Sequence, residues 1–294
     1  MDRDVFGNIL ILRIMITRKV VLLTTMMILS VTVFSQKYKG DSWAKVKSSG
    51  SGTLTVIHID QYGLIYKDGD GKMKGVCADI LSDFTKFIKD KYGKTVMLAY
   101  AGEEPVFANF LNTVQHTPNI IGVTNTTITE ERKAIFNFSP PYMLNRLVLL
   151  THSSAPSVTS LREISSKLKG YSAQVIEGST HVDYVQKIKS EYMPDLKITY
   201  DRSGPTILKN LAANQKLFTV IDMTEFIDAA QKRLPIKRHG VDVGIVEELG
   251  FVMSKDSDWD VVFREFLTDD YKNSARYRQI ISKNLSSSFL SLVK

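Results

Sequence analysis

From Thr53 to Leu285 short β-branched or aliphatic runs alternate with amphipathic stretches of helical period, and nothing else in the chain constrains its fold as much. Residues 53–59 (TLTVIHI) read as a buried strand. The same signature recurs at 95–100, 120–123, 146–151, 173–176, 197–200, 217–221 and 250–254. Between these runs lie helical patterns at 76–91, 106–115, 130–135, 160–167, 181–192, 205–213, 224–233, 258–268 and 274–285. In the first of them Ile80, Leu81, Phe84, Phe87 and Ile88 share one face, and Cys77 at its start reads as a small, half-buried side chain. Strand-helix alternation predicts α/β architecture, with sheets covered on both faces and crossover connections. No internal repeat of fixed short period interrupts it.

Composition narrows the rest. At 294 residues and 44% hydrophobic, the chain can bury one large core or two medium ones, which excludes disorder and collagen-like repeats. A single cysteine forms no intramolecular disulfide, and one Cys with five scattered His residues supplies no structural zinc set, so neither a metal nor a cofactor is expected. The Asp68-Gly69-Asp70-Gly71 run marks a tight turn; a calcium loop would need a third acidic position and a distal Glu, which are missing.

The net charge of +7 raises the question of nucleic acid. Part of that charge belongs to an export segment. Arg18-Lys19 precedes fifteen uncharged residues, 20–34 (VVLLTTMMILSVTVF), too short to span a bilayer and typical of a signal peptide. Val33 and Ser35 fit a cleavage site before Gln36, and Met15 is an alternative start. Cleavage removes Arg3, Arg13, Arg18, Lys19, Asp2 and Asp4, leaving net +5, with bases and acids interleaved (KDKYGK, REFLTDDYK). No basic-aromatic block suited to a nucleic-acid groove remains, and no Cys follows the apolar run to take a lipid anchor. Residues 36–52, rich in Lys, Ser and Gly, read as a flexible lead-in to the folded part.

The common catalytic signatures HExxH, GxSxG and GxGxxG are absent, and Gly93-Lys94-Thr95 lacks the glycine a phosphate loop needs five residues earlier. His181-Val182-Asp183 has metal-like spacing without further ligands nearby, and reads as an ordinary helix start. The informative segment is 121–142, IGVTNTTITEERKAIFNFSPPY. A strand ends at Val123, and a polar loop with Thr124, Asn125, Thr126 and Thr127 leads to Thr129, a helix N-cap, followed by Glu130 and Glu131 at the positive end of the helix dipole. Arg132 in that same turn opposes the dipole and needs an anionic partner. Two partners are open: a carboxylate ligand held bidentately, or Glu130 or Glu131.

Thr129-Glu130-Glu131-Arg132 followed by Phe138-Ser139-Pro140-Pro141-Tyr142 resembles the signature of bacterial extracellular solute-binding protein family 3, the periplasmic receptors for amino acids and related polar solutes. The likeness runs over residues 53–285 and includes Gly75 before the first helix. It implies a type II periplasmic-binding fold of two α/β lobes: 53–144 plus 245–294, and 145–244, crossing near 144–148 and 242–248. It implies that Arg132 and Thr127 clamp a ligand α-carboxylate, with Asn125 in the same loop, and that Gly178-Ser179-Thr180 meets the same carboxylate from the other lobe. A helix N-terminus after a strand supports that second placement on physical grounds. Asp222 would take the ligand ammonium; from the residues alone it reads as a cap for helix 224–233. Asp60, Tyr62 and Tyr66 remain as contacts for the ligand side chain, although Val76-Cys77 stands where relatives binding basic side chains carry an acid.

The expected protein is therefore a monomeric, periplasmic solute-binding protein that closes on an amino acid or similar solute for an ABC importer or a sensor. It is not expected to be an enzyme. Two alternatives stand beside it: a cyclohexadienyl dehydratase-like enzyme, for which Glu177, Glu247 and Glu248 are available acids, and a ligand-sensing accessory protein without transport.

Overall fold

The buried run Leu54–His58 lies inside a mixed sheet with a parallel strand on each side, and every residue in it is shielded. The computed structural model describes residues 38–241, 243 and 246–291. In chain order the elements are α1 (Trp43–Ser49), β1 (Ser51–His58), β2 (Tyr66–Lys67), β3 (Met73–Lys74), α2 (Val76–Tyr92), β4 (Thr95–Glu103), α3 (Phe107–His116), β5 (Ile120–Val123), α4 (Glu130–Ile135) and β6 (Phe136–Phe138). They continue with β7 (Met143–His152), α5 (Ile164–Lys167, preceded by a 3₁₀ turn), β8 (Ser172–Ile176), α6 (His181–Tyr192), β9 (Ile198–Asp201), α7 (Gly204–Ala213), β10 (Leu217–Asp222), α8 (Met223–Gln231) and β11 (Ile236–Arg238). The last are β12 (Val246–Leu249), β13 (Val252–Ser254), α9 (Trp259–Phe266), α10 (Asp269–Asn273) and α11 (Ala275–Leu285).

Apart from the β2-β3 hairpin, two sheets divide these strands. The first has the order β4-β1-β5-β13-β6, drawn from residues 51–138 and 252–254; the second has β11-β7-β10-β8-β9 with β12 also on β7. The β1-β4 and β1-β5 pairs are parallel, as are β10-β8 and β8-β9, so the helices between them serve as the crossovers the alternation predicts. Strand β7 leaves the first sheet's neighbourhood and enters the second, and β12 returns antiparallel beside it with Glu247 opposite Asn145.

One apolar cluster fills the first sheet and reaches one face of the second; another covers the second sheet's opposite face. In the first, α2 buries Ile80, Leu81, Phe84 and Ile88, the face its period predicts, and Phe84 stacks on Phe263 at 4.1 Å. Cys77 is fully buried rather than half-buried. Gly75, at φ 111°, lies so close under the preceding loop that a Cβ would sit 2.4 Å from the Leu64 carbonyl oxygen, so only glycine fits there. Residues 68–71 form the tip of the small β2-β3 hairpin.

The expectation of a flexible lead-in over 36–52 is corrected. Ser42 caps α1 through the Lys45 amide, Gly50 ends it in a left-handed conformation, and Trp43 and Val46 are buried. Asp258 accepts from the Trp43 and Ala44 amides at 2.7 and 2.8 Å, and Trp259 Nε1 donates to the Asp41 carbonyl. Composition missed this because two apolar side chains are enough to anchor a two-turn helix when a distant carboxylate caps it. The predicted signal segment, 1–35, lies outside the described residues. Among the described residues no helix is long and apolar enough to cross a membrane.

Candidate functional site between the two sheets

The polar loop after β5 folds back because its backbone is held on both sides. Ile128 N donates to the Glu248 carbonyl, Gly250 N donates to the Thr126 carbonyl, and the Tyr142 hydroxyl donates to the Thr124 carbonyl at 3.0 Å. The Phe-Ser-Pro-Pro-Tyr segment is the support for that loop. Ser139 Oγ accepts from Phe251 N, and the Tyr142 ring stacks on Phe251 at 4.7 Å.

Arg132 rises from the first turn of α4, whose N-cap Thr129 accepts from the Arg132 amide as expected. The guanidinium does not pair with Glu130, which takes Lys133 at 2.7 Å. Nη1 donates to the Thr127 carbonyl at 2.8 Å, Nη2 donates to the Gly178 carbonyl at 3.2 Å, and the group lies 5.2 Å from the centre of the Phe107 ring. Burial lowers its pKa from the ordinary value, while the charges of Glu247, Asp222 and Glu131 oppose that shift.

The second sheet answers from β8 and β10. Gly178, at φ 72°, turns the chain after β8 so that Ser179 and Thr180 stand at the start of α6. Asp222 ends β10 and occupies the N-cap position of α8, yet its side chain caps nothing. It accepts instead from the Asn125 and Asn145 amides, and lies 3.5 Å from His181 Nε2. The reading from the residues alone, a helix cap, is corrected: the fold turns Asp222 towards the cavity, where the family resemblance sets it.

Asn125, Thr127, Arg132, Ser179, Thr180 and Asp222 all line one cavity of about 20 Å³, together with Phe107, Ile176 and His181. Thus the fold gathers the six predicted carboxylate- and ammonium-end side chains that face it, and Gly178 contributes its carbonyl to Arg132. Asp60, Tyr62 and Tyr66 do not line it. Asp60 accepts from the Lys67 amide, and the two tyrosine rings lie 4.8 Å apart beside the β2-β3 hairpin. Larger hollows lie elsewhere, such as one of about 730 Å³ around Tyr171 and Met193, but no buried charges converge there.

Three participants were not among the predicted binding residues, although Glu247 was named as an available acid for the enzymatic alternative. Phe107 carried no signal beyond helical period. His181 was set aside as a helix start, although its His-x-Asp spacing was noticed. Burial lowers its pKa, but the charge and hydrogen bond of Asp222 and the charges of Glu247 and Glu225 outweigh this, so the net shift is upward. Glu247, from β12, is the third. Its carboxylate accepts from Thr127 Oγ1 at 2.8 Å and from Thr180 Oγ1 at 2.7 Å. Burial and the Asp222 charge raise its pKa, against His181 and the two hydroxyls.

His181, Asp222 and Glu247 present ligand atoms within 4.8 Å of one another. Both carboxylates already accept from amides or hydroxyls, and Arg132 stands beside them, so the cluster reads as a hydrogen-bonded charge network rather than a cation seat. What it can do chemically is hold a small zwitterion: a guanidinium and hydroxyls at one end, a carboxylate at the other.

No family model matches the chain. Solved structures do. An ancestral arginine-binding protein bound to glutamine aligns at 23% identity and a TM-score of 0.61, covering 80% of this chain and 98% of that one. The arginine-, lysine-, histidine-binding protein ArtJ from Geobacillus stearothermophilus aligns at 19% and 0.62, over 79% and 95%. The ancestral amino acid-binding protein AncCDT-1, a precursor of cyclohexadienyl dehydratase, aligns at 21% and 0.60, over 83% and 99%. The chain has the two-lobed α/β fold of these periplasmic-type amino-acid-binding proteins. The type II architecture expected from the family resemblance is the architecture observed.

Proposed function

We propose that the protein is a solute-binding protein that captures an amino acid or amino-acid-like solute between its two lobes and closes on it. The observation that carries this reading is the meeting, in one cavity, of Arg132 and Thr127 from the first sheet's side with Thr180 and Asp222 from the second's. Arg132 with Thr127 and Thr180 takes the ligand carboxylate, and Asp222 takes the ammonium. Asn125 and Asn145 orient Asp222 for that task. Asp60, Tyr62 and Tyr66 stand beyond the cavity as contacts for a longer side chain.

The lobes are 53–144 plus 245–294, and 145–244, with β7 and β12 as the hinge. A cavity of about 20 Å³ holds about one water, so ligand entry requires the lobes to part. Binding that favours the closed form then shifts an open-closed equilibrium, and a membrane partner reads the result. On this reading residues 1–35 direct export to the periplasm, and a monomer serves an ABC importer or a sensor.

The test is calorimetry with an amino-acid panel, after a thermal-shift screen for hits. Arg132→Ala should weaken binding of any hit at least about 100-fold, as loss of a buried charged hydrogen-bond partner does. Full affinity in that variant overturns the carboxylate clamp.

One observation favours a second, enzymatic reading: Glu247 is a buried acid with a raised pKa inside the cleft, in a fold that includes a precursor of cyclohexadienyl dehydratase. Its hydroxyl partners favour the ionised form, which a general acid would not retain. Prephenate turnover by the purified protein, lost in Glu247→Gln, would establish the enzyme instead.

A further inference from the structure

Glu247 occupies the position that the binding reading gives to a ligand carboxylate. Its Oε2 accepts from Thr127, on the loop after β5, and its Oε1 accepts from Thr180, at the start of α6. Arg132 is the nearby guanidinium, and Glu247 supplies the largest opposing charge it meets. One hydroxyl from each side and one cation are the partners a bound amino acid would need. The remaining cavity of about 20 Å³ leaves no room for a second carboxylate while Glu247 stays.

The position of Glu247 in the chain matters as much as its contacts. It lies on β12 directly opposite Asn145 of β7, so both cross-strand partners aim polar groups at the site. Asn145 donates to Asp222, while Glu247 ties Thr127 to Thr180. A hydrogen-bonded ion whose two oxygens reach hydroxyls on opposite sides of a cleft favours the form in which those sides are close. Other hydrogen bonds among the described residues cross the same gap, including Arg132 to Gly178, Asn125 to Asp222, Gln61 to Thr224, and the Phe107 amide to the Arg202 carbonyl. They favour closure but do not fill the carboxylate seat.

We propose that Glu247 is a resident occupant of the carboxylate seat, so that the cleft closes on its own glutamate and a ligand carboxylate enters by displacing it. The identity of the incoming ligand rests on the amino-acid-binding reading; the self-closure does not. Glu247 then sets the affinity threshold of the receptor. Each ligand competes against an intramolecular carboxylate, and the measured affinity is lowered by the fraction of molecules already closed on Glu247.

Small-angle scattering of the purified full-length protein tests the closure without any ligand. Wild type should be compact and indifferent to acetate. Glu247→Ala should show a larger radius of gyration, and acetate, which carries the missing carboxylate, should return it to the wild-type value and raise its melting temperature. Glu248→Ala, on the exposed side of the same strand, should behave as wild type. A Glu247→Ala variant as compact as wild type without acetate, or one that acetate leaves open, overturns the proposal.

If Glu247→Ala fails to fold, Glu247→Gln replaces it. The amide keeps the volume but loses the charge facing Arg132, and should open the cleft part-way; scattering identical to wild type overturns the proposal. For any amino acid that binds, either variant should bind it about tenfold more tightly than wild type. If none binds any variant, the amino-acid reading fails while scattering and acetate still decide the self-closure.

Discussion

Two buried histidines, both on the second sheet's side, show how differently this fold treats the same side chain. His181 faces the cleft beside Asp222 and Glu247, and His239 is sealed behind β7 and β11. Burial lowers the pKa of both. At His181 the neighbouring carboxylates reverse the shift, whereas at His239 the charge of Lys237 adds to it and the pKa falls to about 4. The partners match. His239 Nδ1 accepts from the Val158 amide, so Nε2 carries the proton and donates to Thr151, whose hydroxyl donates onward to the His152 carbonyl. A ring so placed serves as neutral mortar. His181 serves charge balance in a site with two acids and Arg132. Burial alone therefore says little about a titratable group until the charges around it are named.

The largest way to break this contrast is to remove the acid that reverses His181. Asp222→Ala leaves the amides of Asn125 and Asn145 without their acceptor and His181 without its counter-charge. The expected loss of stability is about 3–5 kcal/mol, the range for breaking a buried charged network. The His181 pKa should fall below its ordinary value, as at His239. Urea unfolding and NMR titration measure the two effects; a His181 pKa that stays raised would show that Glu247 suffices.

How far the site could be read in advance follows the same division. Arg132, Thr127, Thr180 and Asp222, which the fold brings to one cavity, were singled out by a motif; local chemistry also pointed to Arg132, set against a helix dipole, and to the turn before a helix, but read Asp222 as a cap. His181 was set aside as a helix start, and Glu247 was singled out only as an available acid for the enzymatic alternative. The role of each depends on strands distant in sequence, β10 for His181 and β7 for Glu247, and spacing along one segment carries no trace of such pairing. The fold shows the same limit. The long alternating elements were legible, while β6, β11 and β12 were missed, being three or four residues long and defined by partners rather than by pattern. Helix α1 was hidden by polar composition because its cap, Asp258, lies over two hundred residues away.

A smaller effect sharpens the contrast from the other side. His239→Leu removes the acceptor of the Val158 amide and the donor to Thr151, and should cost about 1–3 kcal/mol at neutral pH. It should also change the acid limb of stability. With a folded pKa of about 4 against an ordinary 6.5, the wild-type histidine binds its proton more readily when unfolded. Its contribution is therefore present above 6.5 and lost as pH falls towards 4. His181, with its raised pKa, contributes in the opposite sense: stability is full below 6.5 and declines as pH rises through the folded value. The variant should lose the first slope and keep the second, and thermal melts across that range would show both.

Glu225 gives the smallest effect and the finest test, because here the acid rather than the base is displaced. Its side chain is buried against α7, where a Cβ on Gly204 would stand 2.4 Å from Oε1. Burial first, then the charges of Asp222 and Asp228, push its pKa up to about 8, against His181 and Lys232. Below the ordinary carboxylate value the acid is neutral in the folded and the unfolded chain alike, so near pH 4 Glu225→Gln, of equal size and also neutral, should change stability by less than about 1 kcal/mol. The difference should appear on raising the pH. Wild type loses stability as pH climbs from the ordinary carboxylate value through about 8, and the glutamine, with nothing to ionise, does not. Melting temperatures that coincide at about pH 4 and lie a few degrees apart above pH 8, in favour of Glu225→Gln, are expected. Curves that stay together throughout would mean that Glu225 ionises without cost, and that the cleft's acids tolerate a further charge where the histidine contrast says they should not.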